Sequence, residues 1–194
     1  RAILEANVHR FPDGIDFCYG NHEYYRDFNA ITAMLEATPV RVLRNSSFQA
    51  SRGCGQGLKG RNGRDGRSFY IAAADYSFAK GDEAFAKERE QYVRETLAKV
   101  PEDAFVVLLA HHSAFIDEGF AHHIPLTLCG HTHGAQFAPI APLVSALGFK
   151  YLRGLFRKAS ARAMSTAVRA TGCLSASSVH EKPVSLNYEN KRKG

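Results

Sequence analysis

Apolar residues follow two rhythms along this chain, one of period two or continuous runs and one close to the helical period. Ile15 to Tyr19 is a short apolar run that stops at Gly20 and reads as a strand feeding a loop. Asp27 reads as a helix N-cap, because Phe28, Ile31, Met34 and Leu35 follow it at helical spacing. Pro39 stops that helix, and Val40 to Leu43 reads as the next strand. Residues 51–67 are rich in Gly, Arg and Ser and read as an exposed turn between two strands. Ser68 to Ala74 is apolar and β-prone. Residues 82–99 carry the clearest helical pattern, with Phe85, Tyr92, Val93 and Leu97 on one face, charges opposite, and Pro101 as the stop. Phe105 to Leu109 is continuously apolar, as expected of a strand buried on both faces, and Leu126 to Cys129 is a second such run. No internal repeat is visible.

The order strand, helix, strand, strand, helix, strand, strand predicts an α/β or mixed layered domain. With 194 residues, 45% of them hydrophobic, one domain with a real core is expected. No apolar run reaches the roughly 18 residues of a membrane span. The four cysteines, Cys18, Cys54, Cys129 and Cys173, are scattered, so neither a zinc ribbon nor a disulfide framework is predicted. Cys18 and Cys129 lie in strand-like runs and read as small buried hydrophobes, which fits a reducing compartment.

Charge divides the chain unevenly. The formal net charge is +6, yet residues 150–194 hold ten Lys or Arg against two acids. The expected organisation is therefore a domain over residues 1–156 and a basic, irregular tail over residues 157–194. Such a tail reads first as a solvated end and second as a contact for an anionic surface, including peripheral contact with a membrane. It has no interleaved aromatic residues of the kind that stack on bases, so nucleic acid is not an expected partner.

Three apolar runs lead directly into polar loops: Gly20-Asn21-His22-Glu23, His111-His112-Ser113 and Gly130-His131-Thr132-His133-Gly134. Ligands of open α/β sheets bind beyond the carboxyl ends of strands, so three segments would bring imidazole and amide groups to one rim. In an extended loop His131 and His133 point the same way, and neutral imidazole ligates Zn, Mn, Fe and Ni. The bland alternative is a surface turn with two exposed histidines. Asn21 can offer an amide oxygen to a cation, and His22 can donate a proton to a leaving oxygen. Glu23 either orients that ring or faces water. The competing reading is an ordinary turn that caps the next element. Only one of the adjacent pair His111 and His112 can face the same point. His122 with His123, His9 and His180 read as ordinary surface histidines. No G-x-S-x-G elbow supports a serine hydrolase.

Taken together and in this order, the Gly20-Asn21-His22-Glu23, Ala110-His111-His112 and Gly130-His131-Thr132-His133-Gly134 blocks resemble the later signature blocks of calcineurin-like metallophosphoesterases. The resemblance covers about residues 15–140. Val42-Leu43-Arg44-Asn45 and Gln136 are similar to a bacterial branch with membrane-associated members, some acting on lipid-linked or nucleotide-sugar phosphates. The resemblance implies a layered β-sandwich flanked by helices and two divalent metal ions, Mn, Fe, Zn or Ni. It implies Asn21, His111 and His131 as ligands of one ion, His133 as a ligand of the other, and His22 as the catalytic histidine at the leaving group. The implied activity is hydrolysis of a phosphomonoester, phosphodiester or pyrophosphate, on a small molecule or a lipid-linked phosphate, by a metal-activated hydroxide. The implied location is the cytoplasm or its membrane face.

The sequence also departs from that family. The Asp-x-His and Gly-Asp-x-x-Asp blocks that precede the asparagine-histidine block, and supply the bridging carboxylate, do not occur. Asp13-Gly14-Ile15-Asp16 is the nearest imitation, in the wrong order. Ser113 stands where the family commonly has Pro. The chain is therefore expected to be an N-terminally incomplete piece with half of the site, or else a catalytically inactive homologue that binds a metal or phosphate.

Overall fold

A computed structural model describes residues 5, 8–11, 13–50, 69–132 and 150–165. The Gly- and Arg-rich stretch expected as a turn, His133 and residues 166–194 lie outside them. After a 3-10 turn at Val8–Arg10, the described elements are β1 (Ile15–Cys18), α1 (Asn21–Tyr25), α2 (Phe28–Glu36), β2 (Val40–Leu43), β3 (Ser46–Gln49) and β4 (Phe69–Ala74). They continue with α3 (Asp82–Leu97), β5 (Phe105–Ala110), α4 (Phe115–Ala121), β6 (Leu126–Cys129), β7 (Gly154–Lys158) and β8 (Ala161–Ser165).

Two sheets result. β1 and β2 pair in parallel with Ile15 opposite Val40, joined by the α1–α2 crossover. The larger sheet is six-stranded, in the order β3-β4-β5-β6-β8-β7. Its middle runs parallel from β4 through β5 and β6 to β8, and each edge is an antiparallel pair, β3 with β4 and β7 with β8. The class is mixed α/β, as the apolar pattern predicted.

Alternation along the central strands explains the core. Ala72, Ala74, Val106, Leu108, Ala110 and Ala163 share one buried cluster with Val93 of α3 and with Phe115, Ile116 and Phe120 of α4. Small strand residues let the helices sit close, and the large side chains come from the helices. Ala73 and Val107, at alternate positions, are also buried. The two helices are tied together by Arg89 of α3 and Glu118 of α4, both nearly buried. Arg89 reaches Glu118 through Nε to Oε2 and through a second guanidinium nitrogen to Oε1, each at 2.9 Å. The face of residues 82–99 that reads as charged in sequence thus contains one interior charge.

Several expectations change here. β7 spans the limit set at residue 156, and β8 lies beyond it, so residues 157–165 belong to the sheet rather than to an irregular tail. Their five-residue alternation, with Ala161, Ala163 and Ser165 buried, is too short to stand out among the surrounding basic residues. β3, α1 and α4 were not expected. No described helix is long and apolar enough to cross a membrane.

Candidate metal and phosphate site

The polar loops do meet beyond the carboxyl ends of β1, β5 and β6. β1 delivers Gly20, whose extended backbone lies flat on the ring of His111. A β-carbon at residue 20 would sit 2.7 Å from His111 Nδ1 and 2.8 Å from two ring carbons. Glycine is needed here for that approach, since its φ of −112° suits any residue. β6 leads into Gly130, whose amide donates to the His111 carbonyl at 3.0 Å, so the turns after β5 and β6 are locked together. The rings of His111 and His131 are 5.1 Å apart at their centroids and lie nearly perpendicular.

The asparagine-histidine segment is helical, not a loop. Asn21 opens α1, and Glu23 caps it by accepting the Gly20 amide at 2.8 Å. Glu23, half-buried, thus acts as a cap on α1. Asp27 caps α2 as expected, accepting the Ala30 amide at 3.0 Å. Asn21 Oδ1 is buried with no hydrogen-bond partner among the described residues. A buried amide oxygen without a donor costs about 1–3 kcal/mol, so it points to a ligand that would satisfy it. His22 is exposed, and its ring lies 6.5 Å from that of Tyr25.

The glycine-histidine block differs from the extended loop expected of it. His131 has φ +71°, in the left-handed region, and the Thr132 amide donates back to the Gly130 carbonyl at 2.9 Å. The Thr132 hydroxyl donates to the Leu152 carbonyl. A non-glycine residue held in this conformation stores about 1–3 kcal/mol and is typical of functional sites. The alternation of His131 and His133 along an extended chain therefore does not apply through residue 132, and His133 lies outside the described residues.

His112 separates from His111 as adjacency requires. Its Nδ1 accepts the Ala114 amide at 3.1 Å, and its ring packs 5.0 Å from Phe85 and 4.6 Å from His131. Burial, reinforced by the neighbouring His131 and the Arg89 cation, pushes its pKa down to about 3, which favours the neutral ring. Tyr76 closes this side, with its ring 5.8 to 6.2 Å from His111, His112 and His131.

Asn21, His111 and His131 offer one amide oxygen and two imidazoles, a neutral set that fits a borderline divalent ion. No group of three His, Cys, Asp or Glu that could hold a metal is found among the described residues. The shared carboxylate that a pair of ions needs is not among them. Burial pushes the Cys18 thiol up to about 11 and Cys129 higher still, which favours the neutral thiols.

One residue of this region carries no signal in the sequence. Asp75, at the carboxyl end of β4, is only 3% exposed. Its carboxylate accepts the Tyr24 hydroxyl at 2.7 Å on both oxygens, Arg44 Nε at 2.5 Å and the Tyr76 amide at 2.8 Å. A single Asp after an alanine run looks like any strand end.

The chain is similar to a Caenorhabditis elegans protein named "Putative metallophosphoesterase", with 27% identity over 151 residues, which is 75% of this chain and 28% of that protein. The chain thus spans little more than a quarter of the relative's length. No family model matches the sequence. No solved structure matches it.

Proposed function

We propose that this site belongs to a metal-dependent hydrolase of phosphate esters, and that the two sheets form the layered β-sandwich of the calcineurin-like enzymes. The observation that carries the reading is the buried, unsatisfied Asn21 Oδ1, on the residue after the glycine that packs against His111, together with the closely set His111 and His131 rings. The relative named as a metallophosphoesterase points the same way. Asn21, His111 and His131 would hold a divalent ion, with His133 as the ligand for a second. Such an ion polarises a phosphoryl oxygen and lowers the pKa of water.

The chain's own residues supply the rest. Gly20 lets the backbone close up on the His111 ring, and the Gly130 amide holds the His111 carbonyl. Tyr76 and His112 fill the space behind the rings and exclude water there. His22, exposed on the first turn of α1, holds a proton for the departing oxygen. The substrate class is a phosphomonoester, phosphodiester or pyrophosphate, on a small molecule or a lipid-linked phosphate, acted on in the cytoplasm or at its membrane face.

The test is metal content of the purified chain, paired with hydrolysis of a chromogenic phosphodiester in added Mn. One ion per chain, lost in His111→Ala and His131→Ala, is expected. His22→Ala should keep the ion and lose turnover by ~100-fold or more, the range of general acid catalysis. Absence of any bound ion in the wild type would sink the reading. A second reading, an inactive homologue that only binds metal or phosphate, is favoured by the missing carboxylate. It predicts a bound ion with no turnover in any metal.

A further inference from the structure

The candidate site residues come from two structural units, each with its own sheet. Asn21 and His22 belong to the β1–α1–α2–β2 unit, whereas His111 and His131 belong to the six-stranded sheet. A site shared between two units needs something that fixes their separation to a fraction of an ångström. We propose that Asp75 is that positioning residue: its buried carboxylate holds α1 and the β2–β3 turn on the end of β4, and thereby sets Asn21 and His22 against His111 and His131. The inference rests on the proposed function only for the purpose of the site, not for the geometry.

Three elements converge on this one side chain. From α1, the Tyr24 hydroxyl donates to both carboxylate oxygens, three residues beyond Asn21. From the β2–β3 turn, Arg44 Nε donates to Oδ2. Asn45 in the same turn accepts the Asp75 amide through Oδ1 at 2.8 Å. That bond helps to hold Asn45 in its left-handed conformation, φ +41°. From the segment that follows β4, the Tyr76 amide donates to Oδ1 and leads into the ring that lies against all three histidines.

The chemistry suits the task. A buried carboxylate must be compensated, and its acceptor sites here are filled by one cation, one hydroxyl and one amide. Arg44 spans both roles, since its guanidinium also sits 5.9 Å from the Tyr24 ring and 5.8 Å from that of Phe28. Tyr24 needs the carboxylate as well, because its ring is stacked 4.6 Å from Phe28 with the hydroxyl turned inward. The link to the ligands is short: Tyr24 is on the helix that Gly20 caps, and Gly20 lies directly on His111. A shift of α1 must therefore move the contact between Gly20 and the His111 ring.

That contact gives a readout that needs neither metal nor turnover. Ring resonances of His111 and His131 would be followed by nitrogen-15 NMR in the full chain, with His122, paired to Glu90 at 2.9 Å, as the remote reference. Tyr24→Phe keeps the ring and deletes only the hydroxyl; Asp75→Asn keeps the shape and deletes the charge. Both should shift His111 while leaving His122 in place, and the double variant should shift it no further than the larger single change. Titration with Co2+ in parallel should show affinity lowered by ~10–100-fold in each, the usual effect of losing a group that orients a ligand. Asp75→Glu, which keeps the charge but lengthens the arm, should restore the fold's stability without restoring the His111 signal.

A merely structural Asp75 would lower the melting temperature of these variants and leave His111 and Co2+ affinity of the folded protein as in the wild type. That result would overturn the proposal. A wild type that binds no Co2+, with the His111 shift still seen in both variants, would remove the metal reading and keep the positioning role.

Discussion

At the scale of single residues, the approach of Gly20 to His111 is the tightest constraint at the site. An alanine there would place its β-carbon 2.7 Å from a ring nitrogen, closer than non-bonded atoms tolerate. The ring has little freedom to retreat, because Tyr76 and His131 also pack against it, at 6.0 and 5.1 Å between centroids. Gly20→Ala should therefore cost about 1–3 kcal/mol in urea unfolding, the range for overpacking, and should weaken ion binding by at least tenfold. Unchanged unfolding and binding would show that the ring has room to give way. The glycine was visible in the sequence as the end of an apolar run. Its reason was not, since the neighbour it makes room for is 91 positions away along the chain. Asp75 was illegible for the same cause: its meaning lies in Tyr24, Arg44 and Asn45, which no local pattern connects to it.

Among elements, legibility followed length and contrast. β5 and β6 were readable because apolar runs this short and continuous, closed off by polar loops, suit a strand buried on both faces. α3 was readable because its sixteen residues hold several helical turns. α1 has five residues and one cap, too few for a period to show. α4 contains Gly119, which weakens any helical reading. The structure needs it, because a β-carbon there would lie 2.2 Å from Thr127 Oγ1. The interior pair of Arg89 and Glu118 was hidden because Arg89 stands among the exposed charges of α3 and its partner lies on α4. It gives a prediction at this scale. Arg89→Met or Glu118→Leu leaves a charged group buried without its partner and should cost about 3–5 kcal/mol. Replacing both, as Arg89→Met with Glu118→Leu, should cost much less than the sum. Urea unfolding of the four proteins measures this directly, and additive losses would show that the two side chains act independently.

For the whole molecule, the uneven charge matters less for stability than the buried phenols do. Exposed lysines lose their protons at similar pH in folded and unfolded chains, so their titration largely cancels. Tyrosines held in the fold do not cancel. Burial, aided by a hydrogen bond to Glu88, pushes the Tyr92 phenol up to about 12. Burial and the hydrogen bond to Asp117 push Tyr151 up to about 12, against the opposing Lys150 cation. Burial and the Asp75 carboxylate raise Tyr24 further. Each folded-state value lies above the unfolded value of about 10, so folding favours the neutral ring. The resulting stabilisation is complete below about pH 10, where both states are protonated, and is lost as pH rises through the folded values. The urea midpoint should thus stay level from about pH 8 to 9.5 and fall steeply towards pH 11. Tyr24→Phe should flatten the fall, because one of the raised phenols is removed, even though the variant starts from a lower midpoint. A midpoint that ignores pH over this range, with tyrosine ionising in the folded chain at its ordinary value, would mean that these rings are wet. Asp75 would then have lost the buried setting that makes its carboxylate a fixed point between the two sheets.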